Sequence, residues 1–110
     1  MSIVQRFSKL LSNVEYPDVI KSWNIAGTLS NSNEHLKFDV RDMFKLNNGD
    51  LGKKVKLTER VDKIVFETKN KWLILDQKEF NIYLKKQKQN VVYLDNLIKN
   101  LDWTKIILKE

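Results

Sequence analysis

The chain has no cysteine, a single proline, and only three glycines among its 110 residues. Without cysteine it can form neither a disulfide framework nor a thiolate zinc site, a composition that suits a reducing compartment. With so little proline and glycine and 42% hydrophobic residues, it holds enough apolar surface to offset the entropy of ordering, which argues against a largely disordered chain. Long apolar runs are missing as well. None approaches the roughly 20 residues that a bilayer span requires. The start MSIVQRFSKLL lacks the basic region, apolar stretch and small-residue cleavage site of an export signal. The expectation is an intracellular protein, of the cytoplasm or nucleoid.

Catalytic equipment is equally sparse. His35 is the only imidazole and stands beside turn residues, where a surface role is the simpler account than a general base. No Ser-His pair falls at a motif spacing. Gly27, Gly49 and Gly52 make neither a phosphate-cradling loop nor a dinucleotide fingerprint. Asp39, Asp42 and Asp50 could be imagined around magnesium, but surface ion pairs with Lys37, Arg41 or Lys53 explain them more simply. Neither an enzyme nor a cofactor is expected.

What the sequence does have is charge of one sign, concentrated in one place. The formal net charge is +6, and basic and acidic residues cancel in both residues 1–36 and residues 89–110. The whole surplus therefore falls between residues 37 and 88. A localised positive field attracts polyanions, nucleic acid foremost, with anionic membranes and acidic proteins as competitors. A lysine-rich surface also keeps a protein soluble.

The hydrophobic pattern predicts a single α+β domain over residues 1–110. Ile3, Val4, Phe7, Leu10, Leu11 and Val14 fall at the spacing of one helical face, with Ser2 as its cap and Pro17 beyond its end. A strand through IKSWNIAGTL and the turn SNSNE lead to HLKFDVRDMFK. There Leu36, Phe38 and Val40 alternate with Lys37, Asp39 and Arg41, as in a half-buried strand. KKVKLTER, DKIVFET and KWLILD read as further strands, the last buried on both faces, with LNNGD and KNK as turns. Asp76 caps a helix through QKEFNIYLKKQKQ, and Leu94, Leu97, Ile98 and Leu101 mark another; DWTKIILKE fits helix or strand. The expected architecture is a curved antiparallel β-sheet with an N-terminal helix and C-terminal helices packed on one side.

Such a sheet binds single-stranded nucleic acid when it offers cations to phosphates and flat rings to unstacked bases. Lys37, Arg41 and Lys45 flank Phe44; Lys53, Lys54 and Lys56 follow the turn; Lys69 and Lys71 bracket Asn70 ahead of Trp72. For Phe44 and Trp72, burial in the core is the competing reading, and Trp23 and Trp103 read as core or interface.

KFDVRDMFKLNNGDLGKKVKLT, residues 37–58, resembles the strand and turn of the positive cofactor four family of single-stranded-DNA-binding transcriptional coactivators. That pattern is an apolar-Asp-Ile-Arg strand, an aromatic, an acidic Gly-containing turn, and Gly-Lys-Lys before an apolar strand. Here these are Phe38-Asp39-Val40-Arg41, Phe44, Asn48-Gly49-Asp50 and Gly52-Lys53-Lys54, with WNIAGTL as the preceding hairpin strand. The resemblance spans residues 22–58. It implies a strongly curved antiparallel sheet backed by a helix, a homodimer, and binding roles for Arg41, Phe44, Lys53 and Lys54. The segment RVDKIVFETKNKWLILD, the N-terminal helix and the tail after residue 90 are additional to the family pattern. The expected function is binding of single-stranded DNA or RNA, DNA by preference, without strong sequence specificity. The alternative is a small interaction module that meets an acidic protein partner through residues 3–14 and LDNLIKNLDW.

Overall fold

A computed structural model describes residues 2–19, 23–30, 32–45, 51–54, 60–87, 91–100 and 105–109, with the backbone alone at positions 44, 45, 51, 53, 54, 91, 94, 98 and 100. Its frame is a curled, mixed sheet of six strands, a half-barrel with a helix on one face and helices on the other. The fold is α+β, as the hydrophobic pattern predicts. Among the described residues, no helix is long and apolar enough to cross a membrane.

Helix α1 (Ile3–Ser8) starts at a capping box. The Ser2 hydroxyl accepts from the Gln5 N–H at 3.1 Å, and the Gln5 side chain accepts from the Ser2 N–H at 2.9 Å, so two otherwise orphaned donors are satisfied. The helix then stops six residues short of Val14, and Leu11–Glu15 form strand β1. This corrects the single helix over residues 3–14. The cause is a β-bulge: between Ser12 and Glu15 the register against strand β2 (Ile25–Leu29) shifts, and Asn13 takes a φ of 54°. One extra residue returns Val14 to the face Leu11 occupies, and both pack against the same core. A bulged strand thus reproduces the three-residue apolar spacing of a helix. β1 also lies very close to β2, since a Cβ on Gly27 would stand 3.0 Å from the Ser12 carbonyl oxygen and from the Leu11 Cβ.

Strand β3 (His35–Asp42) pairs antiparallel with β2, and the Asn24 side chain prolongs that ladder by bonding both the N–H and the carbonyl of Val40 at 3.0 Å. On its other side β3 pairs in parallel with β6 (Lys63–Glu67), joining Val40 to Val65 and Arg41 to Phe66. The expectation of antiparallel pairing throughout fails at the β3–β6 junction. Between them, β4 (Phe44–Lys45) and β5 (Leu51–Lys54) leave the main sheet and build a second, three-stranded sheet with β8 (Val91–Tyr93). Asp62 ties the return into place: its carboxylate accepts from the Lys37 N–H at 2.8 Å, while its own N–H donates to the Lys37 carbonyl.

β6 turns through Lys69 and Asn70 into β7 (Lys71–Asp76), which is buried along most of its length, as its unbroken apolar run predicts. Asp76 caps α2 (Gln77–Lys86) by accepting from the Glu79 N–H at 3.1 Å. α3 (Leu94–Asn100) follows β8, and β9 (Lys105–Leu108) closes the main sheet beside β7, which decides the C-terminal segment as strand. The main sheet has the order β1-β2-β3-β6-β7-β9.

Two cores result, one per face. Under α1, the Phe7 ring meets Phe38 and Trp72 edge-on, with centroids 5.1 and 5.3 Å away, and Ile25, Val40, Val65 and Ile74 complete the cluster. Burying a side chain like Phe7 stabilises the fold by roughly 1.5–3 kcal/mol. On the opposite face, Ile64, Phe66, Leu73 and Leu75 pack under Phe80 and Leu84 of α2 and Leu97 of α3. The helices therefore do not share one side of the sheet as expected. Both faces of β6 and β7 are apolar, so each needs a cover.

Candidate functional site

Strand alternation puts Lys37, Asp39 and Arg41 on one face of β3, as the sequence predicts. The pairing of Arg41 with Phe66, and of Phe66 with Leu73, puts Lys71 on the same side of the sheet two strands away, but Phe66 and Leu73 stand between them, buried under α2. Lys37 and Arg41 thus share the polar face of β3, and the core under α2 and α3 separates Lys71 from them. Lys37 is exposed and holds its ammonium 5.4 Å from the centre of the Trp23 ring, within the range of a cation–π contact. Trp23 is half-buried and sits beside the site rather than within the core. Asp39 departs from expectation. It forms the anticipated ion pair, with Arg41 Nε donating to both carboxylate oxygens at 2.9 and 3.1 Å, but the carboxylate is buried. A buried carboxylate requires such a partner, so part of the Arg41 guanidinium is committed to the fold.

The other predicted residues lie elsewhere. The backbone of Phe44, Lys45, Lys53 and Lys54 belongs to the small sheet, where Phe44 stands opposite Gly52 and Lys53 opposite Val92. Their side chains, and the whole of Lys56, lie outside the described residues. Lys69 occupies the exposed β6–β7 turn. Lys71 opens β7 opposite Leu108. Trp72 cannot serve as a stacking platform between these lysines, because its register opposite Glu67 and Ile107 turns it onto the α1 face, where it is 4% exposed.

The strongest electrostatic arrangement was not anticipated. Glu67, at the end of β6, accepts from Arg6 Nη2 at 2.7 Å, from Arg6 Nε at 2.9 Å and from Lys109 Nζ at 2.8 Å. Only 9% of its side chain is exposed. Bonding from Arg6 holds its carboxyl down to about 2 from 4.5, with Lys109 adding to the effect and burial opposing it. The same bond raises the Arg6 guanidinium above its ordinary value. Lys109 also lies 4.9 Å from the Trp72 ring centre. These groups border an open cleft of about 460 Å³, with Asp42, Met43, Thr68 and Lys69 completing its lining.

Only one sequence signal pointed to this cluster. Glu67 follows Val65 at an inward position of an apolar strand, where a charge demands a partner. Which partner could not be read, since Arg6 is 61 residues away and Lys109 is 42. Compared with known proteins, the chain matches no family model, no curated protein and no solved structure.

Proposed function

We propose that the protein binds single-stranded nucleic acid, DNA by preference, across the polar face of β3, without strong sequence readout. The observation that carries this reading is the shared face of Lys37 and Arg41 on β3, with the Trp23 ring beside Lys37. Cations along a strand meet phosphates, and a partly accessible indole offers a surface to an unstacked base, with stacking worth about 1–3 kcal/mol per base. The positive surplus over residues 37–88 adds a longer-range attraction. The likeness of residues 22–58 to the positive cofactor four family points the same way, and the antiparallel β2–β3 hairpin fits it.

Anisotropy of a labelled oligonucleotide, followed over a salt series, tests the reading. Binding should weaken steeply with salt, and Lys37→Glu, at an exposed position, should weaken it severalfold while leaving the circular dichroism spectrum unchanged. Absence of binding at low salt, or affinity indifferent to salt, overturns it.

A second reading, docking of a protein partner by strand addition, draws on β9. This last strand of the main sheet exposes Ile106 and Leu108 on alternate positions, the latter by 74%. The apolar face of α1 offers such a partner little, because Phe7 is wholly buried in the protein's own core. Ile106→Lys with Leu108→Lys should spare oligonucleotide binding and remove partner binding; Lys37→Glu should do the reverse.

A further inference from the structure

The cleft above Glu67 is separate from the β3 face, and its charges are unevenly matched. Three cations, Arg6, Lys69 and Lys109, line it against two carboxylates, Asp42 and Glu67. They come from both ends of the chain and from the β6–β7 turn, so the fold brings like charges together here at a cost that Glu67 offsets only in part. Glu67 forms the floor. Ionised throughout the neutral range, it fixes the Arg6 guanidinium and the Lys109 ammonium by hydrogen bonds no longer than 2.9 Å. Lys69 stands at the rim in the exposed turn, with no partner among the described residues. The turn itself is held firmly: Thr68 N–H donates to the Lys71 carbonyl at 2.9 Å, and the Thr68 hydroxyl accepts from the Lys71 N–H at 3.1 Å.

We propose that this cleft binds a phosphate monoester. Lys69 and Lys109 donate to its oxygens, and Glu67 acts as a positioning residue. Lys69 has all its ammonium protons to offer, and Lys109 has those that Glu67 does not take. Point-charge donors of this kind suit a compact, multiply charged group with several acceptor oxygens better than a planar carboxylate, which pairs best with a guanidinium fork. A volume of about 460 Å³ lies within the range of small-molecule sites, so a mononucleotide fits as well as the free anion. Asp42, on the same wall, opposes the ligand and limits its affinity.

The probes are inorganic phosphate, adenosine monophosphate, and one oligonucleotide carrying either a 5′-phosphate or a 5′-hydroxyl. Phosphate and the mononucleotide should each perturb the Lys69 and Lys109 ammonium resonances and raise the melting temperature beyond the effect of chloride at equal ionic strength. Lys69→Ala, in an exposed turn away from either core, should weaken binding about fivefold, the scale of one exposed charge, and Asp42→Asn should strengthen it about twofold. A preference for the 5′-phosphorylated oligonucleotide identifies a strand end as the source; equal affinity of the two oligonucleotides, with the mononucleotide still bound, identifies a free nucleotide. Resonances that respond to phosphate no more than to chloride, or variants that leave the affinity unmoved, overturn the proposal. Lys37→Glu should leave phosphate binding intact, so failure of this site and failure of the β3 face are read separately.

Discussion

Two carboxylates, Asp39 and Glu67, are each buried and each held by arginine, yet they play different parts in the fold. Asp39 bonds Arg41, two residues along the same strand, so this contact closes no loop and joins no separate elements. Glu67 bonds Arg6 of α1 and Lys109 beyond β9, and so pins both ends of the chain to the central strand β6. Similar chemistry thus has unequal leverage, and Glu67 has a second cation besides. A local pair orients a side chain, whereas a non-local one holds elements together.

The largest effect that would break this contrast is Glu67→Ala. Removing the anion leaves two cations facing each other, and a loss of about 2–3 kcal/mol is expected from urea unfolding, near the low end for a disrupted buried pair because its partners are partly exposed. A loss no greater than that caused by Arg41→Ala would end the comparison.

Acid should act next. The Glu67 carboxyl lies near 2 in the folded protein against 4.5 in its ordinary state. Between those values the unfolded chain binds more protons, so stability falls as the pH falls. The contribution is complete above about pH 5 and is lost as the pH drops through 4.5 toward 2. In Glu67→Gln this component should vanish from the plot of urea midpoint against pH.

Smaller changes sharpen the comparison. Lys109→Ala should cost about 1 kcal/mol, the scale of one charge-assisted hydrogen bond to a group that keeps a second partner. A double-mutant cycle with Glu67→Ala should return most of that as coupling. Arg41→Ala should cost about 1 kcal/mol, the low end for a buried carboxylate that loses its charged partner, and less than Glu67→Ala because the pair joins no separate elements.

The same divide between near and distant contacts governs how much could be read in advance. The alternation of β3, the Ser2 and Asp76 caps, the Lys69-Asn70 turn and the burial of β7 all follow from neighbouring residues, and all were legible. The helix over residues 3–14 was misread because a bulge at Asn13 copies helical spacing in a strand. The site was legible only along β3. Lys37 and Arg41 could be placed on one face from their spacing, but the inward position of Trp72 required the register of β7 against both neighbours.

By itself, the sequence determined which segments are apolar, where the helices are capped and where the positive charge collects, because each depends on residues within a turn or two of one another. Only the tertiary structure decided that β3 and β6 run parallel, that Trp72 faces α1, and that Arg6, Glu67 and Lys109 meet. Those outcomes depend on which distant strands pair and in what register, and a slip of one residue would turn every side chain of a strand to its other face.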